Sequence, residues 1–440
     1  MLYENLKEFV ERKCSCGKSH NVCIPQISIK NGAIDDLPVF INKNGYKKAF
    51  ILSDVKSYRA VGDKVCNILN RENIRFTKYT IIDECVKPDE KTVGNAMLHF
   101  DKDCDVVVAI GSGVINDTGK VISSIAKLPY VIVATAPSMD GYASTTSSMD
   151  VDGLKVSLPT KSADLIIGDL EVLKNAPLNM LSAGLGDMLA KYISIAEWRI
   201  AHEVVGEYYC EEIANLVRVA LKKCIDNAEG LLERNEFAVK AVFEGLVLCG
   251  IAMSFAGLSR PASGVEHYFS HVWDMRGLEF GTKTNFHGTQ CAVATFIVAG
   301  LYEKVLTIIP DKNKAVNYVS HFNFSAWADE LSSFIGNAAS VMISNENVDG
   351  KYDVDKHSKR INVIISKWDK IREIIREEIP SKQEIAKILK AIKISENPKE
   401  IGIDCDLFTT LLATKDIRDK YVLSRLLWDL GVIEEVKSWL

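Results

Sequence analysis

A chain of 440 residues, 47% hydrophobic and 25% charged, has room for two or three domains with proper cores and the balance of an ordinary folded protein. Its net charge of −5 and pI near 6.0 argue against a nucleic-acid platform, the charged N-terminus MLYENLKEFVERK lacks a signal peptide's apolar centre, and apolar runs such as 291–300 are too short to span a bilayer. Eleven scattered cysteines, an odd number, suit a reducing compartment better than a disulfide scaffold, so the expectation is a cytoplasmic protein with no nucleic-acid partner and no membrane insertion.

In chain order, the first unusual segment is Cys14-Ser-Cys16-Gly-Lys-Ser-His20, with Cys23 just beyond. It reads as a tight turn into the first strand, with a metal clip as the alternative. From about 35 to 135, strand and helix signals alternate. KKAFILSD (47–54) is a buried strand and a helical stretch follows to about Asn70. IRFTKYTI (74–81) is a strand, DEKTVGNAMLHF (89–100) a helix, and CDVVVAI (104–110) the strongest strand. A helix opens at GSGVINDTGK, and PYVIVAT (129–135) closes the series. Such spacing predicts parallel βαβ units. Beyond Pro177, LNMLSAGLGDMLAKYISIAEWRI, ANLVRVALKKCIDNAEGLLER and AVKAVFEGLVLCGIAMSFAG are helical in period. The stretch 358–392 alternates charge like a solvated pair of amphipathic helices. The predicted architecture is an α/β Rossmann-like domain with a parallel sheet (1–172), then an all-helical domain (173–440), with ligands in the cleft between them.

Five stretches carry candidate chemistry. Gly111-Ser-Gly113 follows a buried strand and opens a helix, where small residues and free N–H groups suit a phosphate. Asn116 stands where the third glycine of G-x-G-x-x-G would be, so a plain strand-to-helix turn stays open. Asp54 ends a strand and can either accept ribose hydroxyls or cap the following helix. Thr135 to Ser144 leaves the C-terminal edge of the sheet as a ligand loop or a solvated one. Asp187 sits on an apolar helical stretch, where it needs a metal or a partner such as Lys191. In 259–290, Ser263 and Glu266 have capping-box spacing, predicting a helix start there, and Gly277 a stop. His267 and His271 then share a helical face, and His287 opens a second apolar run. Two imidazoles with a carboxylate suit zinc or a similar divalent ion; a plain histidine pair is the alternative.

GSGVINDTGK, TAPSMDGYAS, AGLGDMLAK, RPASGVEHYFSH and FHGTQ, in this order, resemble the metal-dependent polyol dehydrogenases related to dehydroquinate synthase. Within that group the chain is most similar to the sn-glycerol-1-phosphate dehydrogenases, and CSCGKSH, EIGID and KDIRDKYVLSRLLWDLG look like their bacterial branch. The resemblance covers nearly the whole chain, more loosely over 310–400. It implies that Asp187, His267 and His287 hold one divalent metal, zinc or nickel before iron. It also implies that Asp54, Gly113, Val114, Ile115, Asn116, Asp117, Thr135, Ala136, Pro137, Ser138 and Ser144 hold NAD(H), with NADP(H) as the alternative. Asp140 and His271 would act on the glycerol moiety beside Asp187, His271 or a water relaying the proton. Arg260 and Ser263 are nominated for the substrate phosphate. The implied reaction is hydride transfer at C2 between dihydroxyacetone phosphate and sn-glycerol 1-phosphate, in a homo-oligomer, dimer first. Rival readings are a glycerol dehydrogenase, a dehydroquinate synthase-like sugar-phosphate cyclase, and a non-catalytic binding protein of the same fold.

Overall fold

The computed structural model describes residues 6–11, 13–20 and 24–440. The chain divides into two compact units, one of residues 1–188 with 215–258, the other of 189–214 with 259–440.

The first unit is built on a six-stranded, wholly parallel sheet. Its strands are β1 (Gln26–Lys30), β2 (Lys48–Asp54), β3 (Arg75–Ile81), β4 (Val106–Gly111), β5 (Tyr130–Ala134) and, after a hairpin of β6 (Thr146–Val151) and β7 (Leu154–Pro159), β8 (Leu165–Asp169). The order across the sheet is β1-β8-β5-β4-β2-β3. Every residue of β4 and β5 is buried, which is why both read as unbroken apolar runs rather than alternating ones. From β2 the chain moves outward to β3 and then returns on the other side of β2 as β4. The C-terminal ends of β2 and β4 therefore form a topological switch point, the place where open parallel sheets bind ligands.

The strand series does not close at 129–135. QISIK and LIIGD are five-residue strands; QISIK is paired by LIIGD far along the chain, Gln26 opposite Leu165 and Lys30 opposite Asp169, and LIIGD also pairs with β5. Local pattern alone does not distinguish them from loop. The β6–β7 hairpin carries a plainer signal, because Asp152 (φ 51°) and Gly153 (φ 76°) supply the left-handed pair that a two-residue hairpin turn requires. The helix Glu236–Ala256 exceeds the apolar runs noted above. It is long and apolar enough to cross a membrane, yet 78% of its apolar window is buried inside the protein, where it acts as a core helix. At Gly250 it presses so closely on the 140–143 loop that a Cβ would lie 2.9 Å from the Asp140 carbonyl oxygen.

The second unit is helical throughout, as the 3.6-residue periodicity predicts. The long stretch read as one helix breaks at Ala190 into Leu178–Leu189, whose residues to 188 belong to the first unit, and Lys191–Val205 in the second. The charged stretch forms three helices, not two: Val354–Ser366, Trp368–Glu378 and Lys382–Ala391. Ile379, before Pro380, is held extended and ends the second of them; Ser381 and Glu384 open the third with a capping box. Within this unit Val265–Phe280 packs along His287–Val305.

Candidate active site

In the first unit the site residues gather at the switch point. A Cβ on Gly111 would lie 2.4 Å from the Ile115 Cβ, so the turn from β4 into the helix Gly113–Ala126 needs glycine. Ser112 precedes that helix without capping it; its hydroxyl lies 2.5 Å from that of Ser138 instead. The opening turn of Gly113, Val114 and Ile115 thus has no side-chain cap, and the helix's positive end suits an anion. Asn116 and Lys120 face inward. Asn116 is buried, donating to the Gly141 carbonyl (3.2 Å) and accepting from the Tyr130 hydroxyl (3.2 Å). The buried Lys120 ammonium donates to the carbonyls of Gly141 and Thr146 (both 2.8 Å) and to Ser144 Oγ (2.9 Å), and lies 3.5 Å from Asp117. Lys120 was legible only as the third member of a polar stripe with Asn116 and Ser123, and the sequence reading assigned it no role.

Asp54 ends β2 and does cap the next turn: its Oδ1 accepts from the Ser57 amide (2.7 Å), and Ser57 Oγ accepts from the Asp54 amide (3.0 Å). Lys56 Nζ turns to the Glu84 carbonyl at 3.3 Å. The 135–144 loop is firmly tied rather than solvated. The Thr135 amide donates to the Gly111 carbonyl (3.0 Å), and the buried Tyr142 hydroxyl donates to the Ala136 carbonyl (2.6 Å). Ala136, Pro137, Ser138 and Ser144 are buried, with Thr135 and Asp140 half-buried. Leu178–Leu189 meets this loop at Gly184, where a Cβ would fall 1.7 Å from the Pro137 carbonyl oxygen. That approach brings Asp187, fully buried, to accept from the Asp140 amide at 2.9 Å.

In the second unit the histidine helix begins at Val265, not at Ser263. Gly264 is the N-cap, and two buried carboxylates replace the expected serine: Glu266 accepts from the Gly264 amide and Glu197 from the Val265 amide, both at 2.8 Å. Glu197 also accepts from the Leu423 amide (2.8 Å) and the Tyr302 hydroxyl (3.1 Å). Burial, and then the neighbouring Glu266 charge, pushes the Glu197 carboxyl up to about 8. Nor does the helix stop at Gly277. It runs to Phe280 and ends on the left-handed Gly281 (φ 67°), while a Cβ on Gly277 would lie 2.6 Å from the Thr284 side chain.

His267 Nδ1 lies 2.8 Å from Glu266 Oε1, and His287 Nδ1 lies 3.0 Å from Ser270 Oγ. Gln290 holds that serine, donating to it (3.0 Å) and to Asp274 (2.8 Å). The two rings are 5.0 Å apart, with His271 6.1 Å from His287. His267, His287 and Cys291 each offer one ligand atom, all within 4.8 Å of one another, and Cys291 Sγ is 3.6 Å from His287 Nε2. Burial raises the Cys291 thiol, but the two imidazoles outweigh it and hold the thiol below its ordinary range. Imidazoles oriented through one nitrogen by a carboxylate or a hydroxyl, with the other nitrogen turned inward beside a thiol, fit a divalent metal. Cys291 was not singled out from the sequence, although its place four residues after His287 was the available signal.

The Arg260 nomination needs correction. Its guanidinium is buried and grips Glu207 through Nε (2.7 Å) and one terminal nitrogen (2.5 Å), so its paired fork is already spent. The other terminal nitrogen is buried without a partner. Ser263 offers its carbonyl to Lys420 Nζ (3.0 Å), which also stands 5.6 Å from the Tyr268 ring centre. Burial, then the charges of Arg260 and Arg418, pushes the Lys420 ammonium down to about 7.

Residues 28–177 match the iron-containing alcohol dehydrogenase family. A glycerol-1-phosphate dehydrogenase (NAD(P)+) of Geobacillus thermodenitrificans is 32% identical over 297 residues, 67% of this chain and 74% of that protein. One of Thermococcus sibiricus is 38% identical over 198 residues, 45% and 55% of the two chains. Among solved structures, glycerol dehydrogenase from Schizosaccharomyces pombe superposes with a TM-score of 0.59 at 16% identity, covering 94% of this chain and 89% of that one, which is a likeness of fold. With the fold, the motif order and these matches in agreement, the chain belongs to the glycerol-1-phosphate dehydrogenase family.

Proposed function

We propose that this protein is an NAD(P)H-linked oxidoreductase that interconverts dihydroxyacetone phosphate and sn-glycerol 1-phosphate by hydride transfer at C2. The observation that carries the reading is the oriented donor set of His267, His287 and Cys291, in a chain 32% identical to a glycerol-1-phosphate dehydrogenase. In this reading Asp187, His267 and His287 are the metal ligands, with the Cys291 thiol beside them. Imidazole and carboxylate donors accept zinc, nickel or iron, and zinc or nickel is the proposed ion. When bound, a divalent ion supplies Lewis-acid polarisation of the substrate's C2 oxygen.

The remaining roles fall to the chain itself. The helix start at Gly113 to Asp117, with Thr135 to Ser138, cradles the dinucleotide, while Ser144 and Lys120 fix the loop that bounds it. Asp140 orients the glycerol moiety. His271, or a water it holds, moves the proton at the C2 hydroxyl. Lys420, which donates to the Ser263 carbonyl, receives the substrate phosphate: an ammonium depressed by burial and then by two like charges regains its charge when an oxyanion arrives. That cluster favours a phosphorylated substrate over the bare polyol of a glycerol dehydrogenase. The cysteines among the described residues form no disulfide, in keeping with a cytoplasmic home, and a homodimer is the accompanying proposal.

The test is NADH oxidation with dihydroxyacetone phosphate, with dihydroxyacetone, and with no substrate. Rapid oxidation with the phosphate ester alone is expected. Equal rates with both ketones would move the protein to the polyol dehydrogenases, and no oxidation with either would leave a cyclase or a binding protein.

Cofactor choice gives a second test. A carboxylate at the end of β2 repels a 2′-phosphate, so NADH is expected to outperform NADPH, and Asp54→Ser is expected to narrow the gap. Serine keeps the capping function that Asp54 performs, so the change isolates charge from folding. Comparable kcat/KM for the two cofactors in the unaltered enzyme would overturn this assignment.

A further inference from the structure

The N-terminal segment holds a second cluster of metal-type donors that the proposed reaction does not use. Cys14 Sγ, Cys16 Sγ and one ring nitrogen of His20 all lie within 4.8 Å of one another. We propose that Cys14, Cys16 and His20 bind a structural zinc ion that fastens the N-terminal segment to the core of the first unit.

Three observations carry this. The chain between the cysteines folds back on itself: the Gly17 amide donates to the Cys14 carbonyl (3.0 Å) and the Cys14 amide to the Lys18 carbonyl (3.3 Å). Gly17 takes a left-handed conformation (φ 83°) to allow it, so both thiols face one point. His20 is buried, and its Nδ1 lies 2.9 Å from the Phe255 carbonyl, which only accepts. Nδ1 therefore carries the proton, and Nε2 faces Cys16 Sγ, 3.5 Å away, through its acceptor lone pair. Bond lengths of about 2.3 Å to sulfur and about 2.0 Å to nitrogen at a tetrahedral angle place S and N roughly 3.6 Å apart, so this separation is the one a shared zinc would require.

Thiolate and imidazole donors select zinc over hard cations, and a fourth donor completes the tetrahedron. Binding releases the two thiol protons, so affinity rises with pH. The site stands apart from catalysis. His20 stacks on Phe9 (5.2 Å) and bonds to the last turn of Glu236–Ala256, so the ion's work is to hold this corner of the unit. Cys23 lies outside the described residues.

Elemental analysis of protein produced in zinc-supplemented medium tests the idea. Cys14→Ser/Cys16→Ser is expected to carry one equivalent less zinc per chain than the unaltered protein and to melt several degrees lower. The same one-equivalent difference is expected in a His287→Ala background, which separates this site from the catalytic one. Should the double-serine chain fold poorly, cobalt(II) loaded into His287→Ala/Cys291→Ser decides. A thiolate-to-cobalt charge-transfer band there supports the clip, and its absence overturns it. Unchanged zinc content in a folded Cys14→Ser/Cys16→Ser protein would equally overturn it, leaving a thiol-to-imidazole hydrogen bond.

Discussion

His267→Ala is expected to strip the catalytic metal and abolish turnover, whereas His271→Ala keeps metal and NADH binding and loses 10²–10⁴-fold in kcat/KM. The two residues share one helix face, but their surroundings differ. His267 is buried, with Nδ1 held 2.8 Å from a buried carboxylate, the arrangement that fixes a ligating tautomer. His271 is half-buried, 6.1 Å from the His287 ring, and lies outside the cluster of converging ligand atoms. Removing one of three protein ligands costs the site its ion; removing a proton-relaying side chain leaves the site whole and slows the step. Metal content, NADH titration and steady-state kinetics on both variants are the measurements. Equal metal loss in the two would place His271 among the ligands. A drop in melting temperature with unchanged kcat/KM in His271→Ala would reduce that residue to packing.

Gly184→Ala is expected to be among the most damaging single-methyl additions in the chain. The new Cβ would sit 1.7 Å from the Pro137 carbonyl oxygen, a backbone atom that cannot swing aside as a side chain end can. Either Leu178–Leu189 withdraws or the 135–140 loop shifts, and both break the 2.9 Å bond between the Asp140 amide and Asp187. A loss of about 3 kcal/mol or more is expected, together with loss of activity, since Asp187 is a proposed metal ligand. Gly94→Ala is the control. That glycine lies inside Glu90–Leu98 with nothing within 4 Å of its missing Cβ, so alanine should stabilise by up to about 1 kcal/mol through helix propensity. Denaturant unfolding of the two variants measures the contrast. A Gly184→Ala protein as stable and active as the parent would show that the loop yields without cost.

The sequence by itself determined the elements whose burial is written locally. Val106–Gly111 and Tyr130–Ala134 are buried on both faces, and a continuous apolar run can hardly be anything else between turn signals. The helical second half was legible because apolar spacing repeats turn after turn, and the pairing of His267 with His271 followed from a four-residue interval alone. Tertiary structure decided what depends on partners distant in the chain. Gln26–Lys30 is a strand only because Leu165–Asp169 lies beside it. Ser263 loses the N-cap because Glu197, from a helix 68 residues earlier, reaches the Val265 amide first. Arg260 looked free for a phosphate until Glu207 was found in its fork, and Cys291, one turn after His287 on the same helix, met His267 only when that helix was laid against Val265–Phe280. Local pattern records which side of an element is apolar. It does not record which buried charge will meet which, because that meeting is fixed by packing between elements and by the cost of leaving either charge unpaired.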